Sequence, residues 1–176
     1  TTLDGFIADS NHSLDWLFTR DQDREGPLNY NEFIAGVGAL AMGSSTYDWI
    51  LGHESAGKEP AEWKWPYDVP CWVFTNRELR VVPGARVEFV SGDVAGVHKE
   101  MLAVAGGRNV WIVGGGDLAG QFADAGLLDE VIVYIAPVTL GAGAPLMSRR
   151  VELRLEELAR NGDFAAMRYS VVRPEA

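Results

Sequence analysis

Three consecutive glycines, Gly114, Gly115 and Gly116, separate an apolar run from a segment with helical character. Residues 109–113 have the composition of a buried strand, and residues 117–125 have the apolar spacing of a helix. A strand that enters a helix through a turn without side chains is the building unit of α/β proteins. This turn therefore constrains the chain to an α/β fold more strongly than any other feature.

Strand and helix patterns alternate along most of the 176 residues, which we expect to form a single domain. Apolar runs predict strands at 39–42, 72–75, 86–90, 109–113 and 129–137, and helical spacing predicts helices at 30–37, after 44–46, at 93–105 and at 117–125. The inward face of the helix at 93–105 is predicted to carry Val94, Val97, Met101, Leu102 and Val104. Residues 151–159 and 164–173 predict a terminal antiparallel hairpin. The expected fold is a mostly parallel central sheet with helices on both faces.

Composition excludes several classes of protein. The net charge of −10 argues against a nucleic-acid surface, and no apolar run is long enough to span a membrane. Cys71 is the single cysteine, so no internal disulfide is expected, and its apolar neighbours favour a core position over a nucleophile. The three histidines are far apart, which argues against a metal site. We expect a cytoplasmic protein with a small-molecule substrate.

The glycine turn has the chemistry of a phosphate site. Glycines allow close approach of the backbone, and the N-terminus of the following helix attracts anions. The spacing matches neither the usual dinucleotide fingerprint nor a P-loop. The alternative is a tight turn in which Asp117 only caps the helix.

Two further turns are predicted at the same edge of the sheet. One contains Gly43, Ser44, Ser45 and Thr46, and the other contains Thr75, Asn76 and Arg77. Ligands of open α/β sheets bind at the carboxyl ends of the strands. Arg77 is suited to an adenosine 2′-phosphate, which would favour NADPH, although it could equally be a solvated loop residue.

Several ordered motifs resemble the dihydrofolate-reductase-like superfamily. They are Leu3-Asp4-Gly5-Phe6-Ile7-Ala8, Ser13-Leu14-Asp15-Trp16, Gly43-Ser44-Ser45-Thr46-Tyr47, the segment 69–76, Trp111-Ile112-Val113-Gly114-Gly115-Gly116-Asp117-Leu118, the segment 126–130 and the segment 135–141. Within it, the motifs resemble the branch that contains the C-terminal reductase domain of the riboflavin-biosynthesis deaminase-reductase and its stand-alone relatives. This resemblance implies a dihydrofolate-reductase-like three-layer fold, an additional strand before Thr1 and an NADPH-dependent reductase.

The resemblance also implies roles for individual residues. It places the pyrophosphate at Gly114, Gly115, Gly116, Asp117 and Leu118, a second phosphate turn at 43–46, and the adenosine ribose near Thr75, Asn76 and Arg77. It places Ile7 and Ala8 beside the nicotinamide and Trp16 beside the substrate.

Two positions depart from folate reductases. Ser44 stands where those enzymes carry an arginine that binds the cofactor phosphate. The riboflavin-type domain also has a serine at this position. Asn29 falls near the position of the pterin-binding carboxylate, and an amide cannot deliver a proton. Asp4 and Glu32 are the candidate proton donors, although Asp4 could be a turn former and Glu32 a solvated helix residue.

The favoured function is hydride transfer to a small heterocyclic or ribosylamino-pyrimidine substrate. The alternatives are dihydrofolate or pterin reduction, a nucleotide-binding module without catalysis, and a scaffold in which the glycines form only a turn. Trp63, Trp65 and Tyr67 could roof the pocket or pin a surface loop within 52–70. Residues 131–137 and 140–147 could provide a homodimer face.

Overall fold

The computed structural model describes residues 1–57 and 63–173, which form two compact units. The central unit is Gly36–Leu118, and the terminal unit combines Thr1–Ala35 with Ala119–Ala176. The elements are, in chain order, β1 (Phe6–Ala8), α1 (Asp15–Phe18), α2 (Tyr30–Ala35), β2 (Val37–Gly43), α3 (Ser44–Ser55), β3 (Cys71–Phe74), β4 (Val87–Val90), α4 (Val94–Ala105), β5 (Asn109–Gly114), α5 (Gly116–Asp124), β6 (Glu130–Ile135), β7 (Ala144–Pro145), β8 (Leu153–Asn161) and β9 (Phe164–Val171).

The central unit contains a four-stranded parallel sheet in the order β4-β3-β2-β5. Strand β2 has neighbours on both sides, and six of its seven residues are buried. A continuous apolar run of this kind is typical of a parallel strand covered on both faces. The predicted α/β fold with a parallel sheet is therefore confirmed.

The connections place helices on both faces of this sheet. The chain passes from β2 through α3 to β3, and from β4 through α4 to β5 on the other side of β2. Parallel crossovers are right-handed, so two crossovers in opposite directions put α3 and α4 on opposite faces. The strand order reverses between β2 and β5, which makes their carboxyl ends the topological switch point.

Helix α4 shows which part of the predicted inward face was wrong. Its buried residues are Val94, Met101 and Ala105, whereas Leu102 and Val104 are 51% and 49% exposed. The apolar residues cover more of the helix circumference than the sheet can bury. The buried stripe contains only Val94, Met101 and Ala105, which are seven and four positions apart and therefore lie on one side of the helix.

Other boundaries also differ from the prediction. Helix α2 ends at Ala35 because Val37 already belongs to β2, and α3 continues to Ser55, which shortens the irregular segment predicted at 52–70. Residues 58–62 of that segment lie outside the described residues. The short strands β1 and β7 were not predicted.

The terminal unit contains a three-stranded antiparallel sheet in the order β6-β9-β8. The predicted terminal hairpin is present as β8 and β9, with Gly162 in the left-handed region at its tip. Strand β6, predicted at 129–137, pairs antiparallel with β9 along its whole length. None of the described helices has both the length and the hydropathy that a membrane span requires.

The hairpin tip holds the segment that precedes α2. The buried side chain of Asn161 donates to the carbonyls of Asp23 and Pro27, both at 3.0 Å, and accepts from the Asp23 N–H at 2.9 Å. A Cβ at Gly162 would lie 2.1 Å from the Asp21 carbonyl oxygen, so this position requires glycine. The hairpin tip therefore acts as a clamp as well as a turn.

Replacing Asn161 by alanine is expected to lower the free energy of unfolding by about 2–4 kcal/mol, because buried donors and acceptors lose their partners. Urea denaturation followed by circular dichroism measures this loss. The exposed Asn11→Ala substitution is the matched control and should cost less than about 0.5 kcal/mol. Equal stability of the two variants would contradict the clamp.

Candidate functional site

The glycine turn and the turn after β2 meet at the switch point. Strand β2 ends at Gly43 and β5 ends at Gly114, and Met42 pairs with Gly114 in the register of the two strands. A Cβ at Gly114 would lie 2.8 Å from Thr46 Oγ1 on α3. A side chain at this position would have to displace that of Thr46, so the glycine permits the close approach that brings two of the predicted phosphate turns together.

Open space lies beside both turns. A Cβ at Gly43 or Gly115 would meet no described atom within 4 Å. Gly43 is the N-cap of α3 and, as a glycine, supplies no side-chain cap. Two adjacent helix N-termini with room for a ligand form an anion-binding arrangement.

Helix α5 begins at Gly116 and carries Asp117 in its first turn. The peptide bond between Gly114 and Gly115 is cis. The side chain of Leu118 is buried, so this residue would offer a ligand its backbone rather than its side chain.

The third predicted turn follows β3 at the neighbouring position of the sheet. Thr75 Oγ1 accepts from the Arg77 N–H at 2.9 Å, and Arg77 Nη2 lies 2.7 Å from Asp48 Oδ2 on α3. Both members of this ion pair are largely exposed. Asp48 was not predicted as a site residue, although its position one helical turn after Ser44 places it on the same side of α3.

Aromatic side chains pin the segment that precedes β3. Trp65 packs on Tyr47 with ring centroids 5.5 Å apart, and Tyr67 packs edge-on against Trp111 of β5 at 6.1 Å. Tyr47 is buried, and its hydroxyl donates to the Arg80 carbonyl at 2.7 Å. These contacts favour the loop-pinning alternative over a pocket roof for Trp65 and Tyr67.

Cys71 is part of the core. Burial raises the pKa of its thiol to about 12, so the thiolate is not populated near neutral pH. The described residues contain no group of three or more potential metal ligands among histidine, cysteine, aspartate and glutamate.

In the terminal unit, the Asp4 carboxylate holds a turn. It accepts from the Thr2 hydroxyl at 2.6 Å and from the N–H groups of Leu140 and Gly141 at 3.0 and 2.7 Å. The bond from Thr2 and those from the two backbone amides lower the pKa of Asp4. A carboxylate kept deprotonated in this way is poorly suited to donating a proton, which favours the turn-former alternative.

Glu32 lies in the first turn of α2 and is exposed. Its N–H donates to Asn29 Oδ1 at 2.9 Å, and the Asn29 amide donates to the Gly26 carbonyl at 3.0 Å. Buried Asn29 thus caps α2 through its Oδ1 and holds the preceding loop through its side-chain amide. Glu32 keeps the carboxyl group that a proton donor requires.

The remaining predicted residues also lie in the terminal unit. Ile7 and Ala8 belong to β1, which pairs with β7, and a Cβ at Gly143 would lie 2.1 Å from the Ala8 carbonyl oxygen. Segment 140–147, predicted as part of a dimer face, therefore packs against the start of its own chain. Trp16 is half-buried on α1, and its indole N–H has no hydrogen-bond partner among the described atoms.

Residues 1–163 match the protein family described as the RibD C-terminal domain. The Bacillus subtilis (strain 168) protein YwjB, itself uncharacterized, is 30% identical over 172 residues, or 96% of this chain and 92% of YwjB. The riboflavin biosynthesis protein RibD of Haemophilus influenzae is 33% identical over 84 residues, which cover 41% of this chain and 23% of that protein.

Solved structures show the same fold. A candidate riboflavin biosynthesis protein of Shewanella sp. PV-4 superposes with a TM-score of 0.79 at 26% identity, covering 98% of this chain and 96% of that one. A pyrimidine reductase-like protein of Corynebacterium diphtheriae gives 0.61 at 15% identity, with 99% and 90% coverage. The Thermotoga maritima deaminase/reductase gives 0.62 at 16% identity, and this chain spans about half (54%) of its length.

Proposed function

Because the chain belongs to the RibD C-terminal domain family, we propose that it is an oxidoreductase that transfers hydride from NADPH to a small heterocyclic substrate of the ribosylamino-pyrimidine type. The fold is shared with proteins described as deaminase/reductase and as pyrimidine reductase-like. The resemblance of the site motifs to riboflavin-type reductases supports the same chemistry.

The observation that carries the proposal is the contact between the two glycine turns. At the switch point, the close approach of Gly114 to Thr46 brings together two helix starts, with open space beside Gly43 and Gly115. A pyrophosphate requires backbone N–H groups and a positive helix end without obstructing side chains. These residues therefore fit a dinucleotide.

We assign the pyrophosphate to the turns at 43–46 and 114–118, and the adenosine ribose to Thr75, Asn76 and Arg77. The bound cofactor supplies the hydride, and the protein supplies orientation. The placement of Ile7 and Ala8 beside the nicotinamide and of Trp16 beside the substrate stays a prediction, as does the homodimer.

Glu32 is the preferred proton donor of the two predicted carboxylates. Asp4 is held deprotonated by its three donors, whereas the exposed carboxyl of Glu32 accepts no such set of bonds among the described residues. Folate reduction by the usual route is disfavoured because Asn29 carries an amide that the fold already uses.

The second candidate function is nucleotide binding without catalysis. The structural use of Asp4 and Asn29 favours it, because both side chains serve turns or caps rather than a substrate. Both candidate functions predict cofactor binding, but only the reductase predicts turnover of a substrate.

The deciding experiment incubates the purified protein with NADPH and a panel of ribosylamino-pyrimidines and pterins, and follows the loss of reduced-nicotinamide absorbance. We expect oxidation of NADPH with a pyrimidine substrate, and Glu32→Gln should lower the rate about 100-fold, as loss of a general acid does. Asp4→Asn should retain the rate if the variant folds, as circular dichroism would show.

Binding of NADPH with no turnover of any panel member would favour the binding module. A Glu32→Gln variant that retains the full rate would exclude Glu32 as the donor while leaving the reductase assignment intact.

A further inference from the structure

An acidic residue stands beside the only predicted cofactor-binding cation. Asp48 lies on α3, one turn after Ser44, and its Oδ2 is 2.7 Å from Nη2 of Arg77. The backbone of Arg77 is fixed by its N–H bond to Thr75 Oγ1 at the end of β3. The ion pair thus joins the start of α3 to the β3 turn within the central unit.

The topology indicates which part of a dinucleotide would reach this pair. The proposed pyrophosphate position lies between the carboxyl ends of β2 and β5, and β3 lies on the far side of β2 from β5. The half of a dinucleotide that extends from this pyrophosphate position across the end of β2 would therefore reach the β3 turn. We have assigned the adenosine ribose to this turn.

Carboxylates and arginines near the adenosine ribose favour different cofactors. A carboxylate accepts from the 2′-hydroxyl of NADH, whereas an arginine accommodates the 2′-phosphate of NADPH. This chain places one of each within a single ion pair, so the acid neutralises the cation that a 2′-phosphate requires.

We propose that Asp48 is a cofactor-specificity residue that restrains the preference for NADPH. It competes with the 2′-phosphate for the Arg77 guanidinium. This inference rests on the proposed function, because it requires a dinucleotide at the switch point.

The exposure of the two side chains sets the expected change in NADPH affinity. The side chains of Arg77 and Asp48 are 57% and 45% exposed, so solvent and salt screen the pair. Removing the negative charge should therefore change affinity for NADPH by about two- to fivefold rather than by several orders of magnitude. The change should shrink as ionic strength rises.

The test measures dissociation constants for NADPH and NADH by quenching of tryptophan fluorescence in the wild type, Asp48→Asn, Arg77→Gln and the double variant. Asp48→Asn should bind NADPH about two- to fivefold more tightly, and its NADH affinity should stay close to that of the wild type. Arg77→Gln should weaken NADPH binding selectively. The double variant should resemble Arg77→Gln, because Asp48 acts through that arginine.

Asp124→Asn is the matched control, since Asp124 forms a similar exposed ion pair with Arg149 in the terminal unit. It should leave the ratio of the two dissociation constants unchanged. If the protein binds both nucleotides but Asp48→Asn changes the ratio of the two dissociation constants by less than twofold, this inference is wrong and the proposed function stands. Failure of the wild type to bind either nucleotide would overturn the proposed function together with it.

Discussion

Replacing Gly115 by aspartate is expected to weaken NADPH binding at least about 100-fold, through steric block and like-charge repulsion at the pyrophosphate. The new Cβ would enter space in which no described atom lies within 4 Å, so the protein itself should tolerate the side chain. The carboxylate would instead occupy the volume assigned to the phosphates. The expected loss therefore concerns binding and leaves the fold intact.

Fluorescence titration measures the binding loss, and thermal unfolding checks the fold. Gly96→Asp is the matched control, because Gly96 is an exposed glycine of the same unit with open space around its Cβ position. This control makes the same change of charge away from the switch point and should bind NADPH like the wild type. A Gly115→Asp variant that binds within threefold of the wild type would place the phosphates elsewhere.

Replacing Gly38 by alanine is expected to lower the free energy of unfolding by about 3 kcal/mol or more, at the upper end of overpacking effects. The added Cβ would lie 2.3 Å from the Ala105 carbonyl oxygen and 2.8 Å from its Cα. Both are backbone atoms at the end of α4, and Gly38 and Ala105 are buried. Relief would require α4 to move away from β2.

Urea denaturation of the variant provides the measurement. Gly52→Ala is the control, since Gly52 lies inside α3 with open space at its Cβ position. Alanine in a helix interior should stabilise the protein by up to about 1 kcal/mol. A loss below about 1 kcal/mol for Gly38→Ala would contradict the close packing of α4 on β2.

The parallel sheet was predictable because its signals are local. The buried run of β2 and the strand–glycine–helix sequence around Gly114 each fit within a few consecutive residues. Their order along the chain, with helices between strands, then predicts a parallel sheet and a ligand edge.

The features that escaped prediction depend on residues far apart in the sequence. Strand β1 pairs with β7 across more than a hundred residues, and Asn161 holds a loop that includes Asp23. Neither residue pattern contains a signal for its distant partner. The exposure of Leu102 on α4 was missed because apolar composition alone does not fix how wide a stripe the sheet covers.

The candidate site also combines features that local sequence predicts with features that depend on distant residues. The turns at Gly43 and Gly114 were predicted at the same edge of the sheet, but their contact through Thr46 follows only from the strand order, which places β2 beside β5. The roles of Asp4 and Asn29 could not be assigned from type alone, because a carboxylate or amide serves equally well in turns, caps and substrate sites. Their hydrogen bonds favour the structural role for both.

Titration of the purified wild-type protein with NADPH and NADH, followed by tryptophan fluorescence, tests whether the two glycine turns bind a dinucleotide. The structure contains Trp65 and Trp111 in the central unit, whose emission would report binding there. We predict saturable NADPH binding in the micromolar range. Absence of binding by either nucleotide at millimolar concentration would contradict a dinucleotide site and leave the paired glycine turns as structural features of the fold.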